Sequence, residues 1–188
     1  MDELKKALKN KSLIRVFRDQ IDGDEIYSDG YVVDLSNDWV LLHFLDERIV
    51  FDGYCLLRLC DISKISQVDN FKFIERAIEL KGLKKAQKVE LKNSILSFSY
   101  FLEEISRLHG LVALSEEISD PNSSYVGKIG KIELDKVELR NISTTGEWLN
   151  TEIFDTSNIT RVDFGGEYLN ALNLVINNSP ASSSGTEE

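Results

Sequence analysis

Two cysteines, two histidines and two groups of carboxylates are the residues whose chemistry could reach beyond packing. Cys55 and Cys60 stand five apart in a stretch that reads as β. An odd separation points their side chains to opposite faces of one strand, which argues against a disulfide between them. His43 and His109 are isolated in sequence, so the ligand spacing of a metal site is missing and the thiols read as buried and structural. Asp19, Asp22, Asp24 and Glu25 gather near one turn, and Glu116, Glu117 and Asp120 near another. Clustered loop aspartates can bind a hard cation, but Asp22-Gly23-Asp24 lacks the rest of a calcium loop, and these charges read as solvated turns. Gly165-Gly166 is a lone pair that reads as a turn, and no nucleophile motif surrounds either histidine. No catalytic, cofactor-binding or metal-binding residue is predicted, and the chain is expected not to be an enzyme.

Composition narrows the partners. The chain has 188 residues, 42% hydrophobic and 29% charged, with a formal net charge of −10. That is a globular balance. Its apolar runs, such as Trp39-Val40-Leu41-Leu42, fall far short of the roughly 20 residues that span a bilayer. The start, Met1-Asp2-Glu3-Leu4-Lys5-Lys6, has no apolar signal region, so a cytoplasmic location without membrane contact is expected. The best basic cluster is Lys81, Lys84, Lys85 and Lys88, which reads as a solvated helix face or linker. Affinity for nucleic acid comes largely from neutralising phosphates, so RNA is disfavoured and a basic protein partner fits the acidic balance better.

The elements that would position these residues repeat. At an offset of 97 positions Gly30 falls on Gly127, Asp38 on Asp135, Val40 on Val137, Leu42 on Leu139 and Ile62 on Ile159. Conservative matches land where a strand would turn inward: Val32 with Ile129, Leu35 with Ile132, Phe51 with Trp148, Leu56 with Ile153, and Ile65 with Val162. Each copy opens with a helix. In the second, Asn93 or Ser94 can cap a run in which Ile95, Phe98, Phe101, Leu102, Ile105 and Leu108 recur at helical spacing until Gly110. In the first copy strands are read at 13–17, 26–35, 39–45, 49–59 and 62–65, with Ser36-Asn37-Asp38 as a turn and Gly30 as a bend inside the second strand. The expected organisation is a first helix-plus-barrel unit over 1–68, a helical connector over 69–92, a second unit over 93–176 and a disordered tail over 177–188. The fold class is mainly β with flanking helices (α+β), as two tandem five-stranded barrels.

A helix followed by five short strands, with a glycine bend in the second, resembles the Sm-like, SH3-like barrel fold. Gly30-Tyr31-Val32 through Asn37-Asp38-Trp39-Val40-Leu41-Leu42 is similar to the first Sm motif, and Asp61-Ile62-Ser63-Lys64-Ile65 to the short last strand of the Hfq branch. The second copy keeps the frame as Gly127, Asp135, Val137 and Leu139. The resemblance implies RNA binding, with Trp39 in the place of a base-stacking aromatic. The second copy has Lys136 there. Where that family carries a Lys-His pair, this chain reads Leu59-Cys60 and Thr156-Ser157.

The remaining signal is surface. Phe51-Asp52-Gly53-Tyr54 is the densest polar-aromatic turn, with Trp148-Leu149-Asn150-Thr151 as its counterpart. Phe51 and Trp148 read as closing a barrel end. Trp39, Asp52 and Tyr54 form the candidate interaction surface, because aromatics with a polar tip are the usual anchors of protein interfaces. The function expected is non-catalytic protein binding or regulation, for example an immunity-type inhibitor of a basic toxin; Sm-like RNA binding is the alternative.

Overall fold

Leu4 and Ala7, one turn apart, bury one face of the opening helix α1 (Asp2–Asn10). Asp2 and Glu3 in its first turn and Lys9 in its last oppose the helix dipole, and Lys11 ends it in the left-handed region at φ 49°. β1 (Leu13–Phe17), a single turn α2 (Asp19–Asp22), β2 (Tyr27–Leu35), β3 (Trp39–Leu45), β4 (Phe51–Arg58) and β5 (Lys64–Gln67) follow. The fifth strand starts two residues later than its apolar pattern suggests, because Leu59–Asp61 forms a 3-10 turn. α3 (Phe71–Leu80) connects to the second half, which opens with α4 (Phe98–His109) and continues through β6 (Val112–Ser115), β7 (Tyr125–Ile132), β8 (Lys136–Ile142), β9 (Trp148–Asp155), β10 (Arg161–Phe164) and α5 (Glu167–Asn178).

The computed structural model describes residues 1–22, 26–91, 95, 97–121 and 123–178. Asn93, Ser94, Asp24 and Glu25, weighed above as a helix cap and as turn carboxylates, lie outside the described residues, as does most of the expected tail. Asn177 and Asn178 are the last residues of α5. That helix is the element that strand-based reading misses; Leu169 and Leu172, one turn apart and buried, are its signal.

The two halves repeat in detail. β3 and β8, β4 and β9, and β5 and β10 begin and end 97 positions apart. β2 and β3 shift register between Val32 and Asp34, β7 and β8 between Ile129 and Ile132. β3 and β4 shift between His43 and Leu45, β8 and β9 between Arg140 and Ile142, again at matching positions. The turns carry the same backbone bonds: Ser36 N donates to Trp39 O at 2.9 Å and Glu133 N to Lys136 O at 2.8 Å. Leu59 N to Asp38 O and Thr156 N to Asp135 O are both 2.8 Å. β1 and β6 slip to 98: Ile14 pairs with Gly30, and Val112 pairs with Gly127.

The architecture is α+β with mainly antiparallel strands, and all ten lie in one open sheet of order β5-β1-β2-β3-β4-β10-β6-β7-β8-β9. This differs from two separately closed barrels. Closing the first set of five strands on itself would need a partner from that set on the outer edge of β4, and that edge is taken by β10 of the second half. Val162 and Phe164 then bury against Leu56 and Tyr54. A shared core follows: Val33, Trp39, Leu41 and Leu56 pack in one cluster with Phe101, Ile105, Leu114, Val137, Leu139 and Val162. A second cluster holds α1 on the first half through Leu4, Ala7, Val16, Val40, Leu42 and Leu57. Among the described residues no helix is long and apolar enough to cross a membrane.

Candidate interaction surface

The three residues singled out from sequence sit near the seam between the halves. Trp39 opens β3 and is only 7% exposed; its ring stacks on Phe98 of α4 with centroids 4.5 Å apart and planes within 4°. Exposure was expected, but a long aromatic at the start of a strand is covered as soon as a second helix packs across it. Tyr54 is half-buried between His43 at 5.1 Å and Phe164 at 5.2 Å. With Phe51 on His43 at 4.0 Å and Phe101 edge-on to Phe164 at 5.7 Å, these rings form a ladder across the β4–β10 seam. Asp52 accepts a 2.6 Å bond from Glu167 N and so caps the start of α5. Next to it Gly53, at φ 74°, lies so close to Gly166 N and Phe164 O that a Cβ would sit 2.4 Å from each. Phe51-Asp52-Gly53-Tyr54 is therefore strand, and three of its side chains bind the molecule to itself.

The electrostatics of the seam were not legible beforehand. Arg18, 1% exposed, donates from Nη1 to Glu117 Oε2 at 2.7 Å and from Nη2 to Glu117 Oε1 at 2.9 Å. Thr160 Oγ1 donates to the same carboxylate at 2.6 Å. Burial alone would push the Glu117 carboxyl up, but the bonds from Arg18 and Thr160 outweigh it and hold the group below its ordinary value. A charge that reads as solvated is thus half of a buried pair joining the halves. Arg58 bonds Asp61 at 2.7 Å and also donates to the Ser157 carbonyl at 2.6 Å across the seam. Neither arginine lies in a motif; their signal is an isolated basic residue at a strand end facing the other repeat.

The remaining chemically active types are also placed. Cys55 is fully buried, and burial pushes its thiol well up; Cys60 is exposed rather than buried, and both are free thiols. His43 is buried, its pKa pushed down to about 4, and no partner reaches its Nδ1 among the described residues. Burial also lowers His109, whose ring lies 5.0 Å from Phe164. In the lysine cluster, Lys81 donates to the carbonyls of Arg48 and Ile49 at 2.8 and 2.9 Å, and Lys85 pairs with Glu75, which accepts from Tyr31 Oη at 2.5 Å. Among the described residues no three His, Cys, Asp or Glu side chains are grouped to hold a metal ion.

Comparison of the chain with protein-family models, curated proteins and solved structures finds no match. The outer end of the second half groups several carboxylates. Glu116, Asp120 and Glu152 all act on Tyr125, and Asp155 acts on Glu116. Desolvation, reinforced by Asp155, raises the Glu116 carboxyl. Along this edge Leu149 is 50% and Ile153 64% exposed. Exposed apolar side chains beside a group of carboxylates can bind a surface that is both apolar and positively charged.

Proposed function

We propose that the chain is a non-catalytic binding protein built from two Sm-like units, and that it engages a basic protein partner. The helix, five short strands and second-strand glycine that carry the resemblance occur in both halves, at matching positions. The observation that carries the functional reading is the excess of carboxylates at the outer end, even with Lys136 acting on Asp155 there. Arg18, Arg58 and Arg161 are engaged at the seam with Glu117, Asp61 and Asp163. Glu116, Asp120, Glu152 and Asp155 gather at the outer end of a chain whose net charge is −10. An immunity-type inhibitor that masks a basic toxin is one concrete form. Electrostatic complementarity would speed association and make it salt-sensitive.

The test is affinity capture on the immobilised chain, followed by titration with the purified captured protein at low and high salt. A basic protein whose affinity falls as salt rises is expected; recovery of no basic partner overturns the reading. RNA binding is the alternative from the family resemblance. The covering of Trp39 by Phe98 weighs against base stacking there, and retention of U-rich or A-rich RNA on a filter at low salt would reinstate it.

A further inference from the structure

The seam inside the molecule shows what its free edge lacks. β9 holds in the second half the place that β4 holds in the first, 97 positions on and with the same register shift against its neighbour. The outer edge of β4 is covered by β10, with Leu56 opposite Val162 and Tyr54 opposite Phe164. Among the described residues no strand covers the outer edge of β9. Ile153, the counterpart of buried Leu56, is 64% exposed. An uncovered strand edge is a ladder of unpaired N–H and C=O groups, and proteins either guard it or use it.

Charge distinguishes the two edges. At the seam the β4 side supplies guanidinium groups: Arg18 to the Glu117 carboxylate and Arg58 to the Ser157 carbonyl. By the same correspondence, 98 positions on from the end of β1 and 97 elsewhere, Glu116 stands in the place of Arg18 and Asp155 in the place of Arg58. The edge is repeated and its charge inverted. A second copy would bring β5 as the equivalent of β10. It would set Asp19, in the place of Glu117, against Glu116, and the Cys60 carbonyl against Asp155. Two chains of net charge −10 also repel at longer range.

We infer that the outer edge of β9 is a docking edge for an extended strand of a partner protein, one that carries lysine or arginine where the β10 side of the seam carries Glu117. This rests on the reading of a basic partner and names the strand that receives it. Backbone bonds supply the ladder, Leu149 and Ile153 the apolar contact, and Glu116, Glu152 and Asp155 the choice of a basic strand over an acidic one.

The test uses the full chain and two labelled peptides of the same eight-residue length as β9, one alternating lysine with valine and the other glutamate with valine, followed by fluorescence anisotropy. The lysine peptide is expected to bind, more weakly as salt rises, and the glutamate peptide not to bind. At the seam Arg58 N donates to Thr160 O at 3.2 Å. Alternation then turns Leu56, and hence Ile153, outward, so Ile153→Pro removes a docking donor without breaking a bond to β8. About a tenfold loss of lysine-peptide affinity is expected from that lost bond and the altered edge. The paired variant Glu116→Arg with Asp155→Arg restores the charges of the seam; it should exchange the lysine peptide for the glutamate peptide and let copies associate in sedimentation. Binding of the lysine peptide that neither variant changes would overturn the β9 assignment while leaving a basic partner in place. Binding of neither peptide, together with no basic protein in the capture experiment, would remove both. Self-association of the unaltered chain at micromolar concentration would make a second copy the occupant and overturn the inference.

Discussion

Arg18, at the end of β1, clasps Glu117, at the end of β6, through two hydrogen bonds of 2.7 and 2.9 Å. The two residues are 99 positions apart and belong to different repeats. Their own repeat counterparts are Glu116 and Asp19, so matching positions of the two halves carry different charges.

Removing either partner breaks a buried charge pair, which costs about 3–5 kcal/mol in buried sites. Arg18→Ala and Glu117→Ala are each expected to destabilise the protein by roughly that amount, and the double variant by less than the sum. Urea unfolding of the two single variants and the double variant checks it. A double variant as costly as the added singles would mean the pair is not coupled.

Gly30 and Gly127 are needed for close strand packing, without any special backbone angle. A Cβ on Gly30 would stand 2.7 Å from the carbonyl oxygen of His43, and on Gly127 2.2 Å from that of Arg140. The strands have closed on the space a side chain would fill. Gly30→Ala and Gly127→Ala should each destabilise by about 1–3 kcal/mol through forced backbone shifts, with Gly127→Ala the worse. Thermal unfolding of both variants checks the order.

Asp52 acts at the start of α5 through its side chain. Asp52→Ala removes the acceptor for Glu167 N and should cost about 1 kcal/mol, as a lost helix cap does, while Asp52→Asn keeps an acceptor and should cost less. Hydrogen exchange at the first turn of α5 is the specific readout; unchanged exchange there in Asp52→Ala would mean the cap contributes nothing.

Strand positions were legible because inward side chains alternate, and the repeat was legible because Val40, Leu42, Val137 and Leu139 share that pattern and are all buried. The single sheet was not legible. The apolar run Cys55-Leu56-Leu57 states that β4 is buried and is silent on which strand covers its edge, since edge pairing uses backbone groups common to every residue. The site was half legible for the same reason. Phe51-Asp52-Gly53-Tyr54 was found as an unusual segment, yet whether it faces solvent depends on α5, whose amphipathic signal rests on few positions. Arg18 and Glu117 were visible as charges and invisible as a pair.

His43 gives the chain a defined response to acid. It is buried between Phe51 and Tyr54, and burial lowers its pKa from 6.5 to about 4. Above pH 6.5 the side chain is neutral in both folded and unfolded chains and contributes no pH dependence. Below 6.5 the unfolded chain takes up a proton that the folded chain refuses, so stability falls as pH drops and levels off near 4. The loss over that window is on the order of 2 kcal/mol. His109, lowered in the same direction by burial, adds to it. His43→Phe keeps an aromatic ring between Phe51 and Tyr54 and removes the titration. Its stability should therefore fall less steeply between pH 6.5 and 4 than that of the unaltered chain, leaving the slope due to His109 and the shifted carboxylates. Urea midpoints at half-unit pH intervals give both slopes, and equal slopes would show that His43 is as free to take a proton in the folded chain as in the unfolded one.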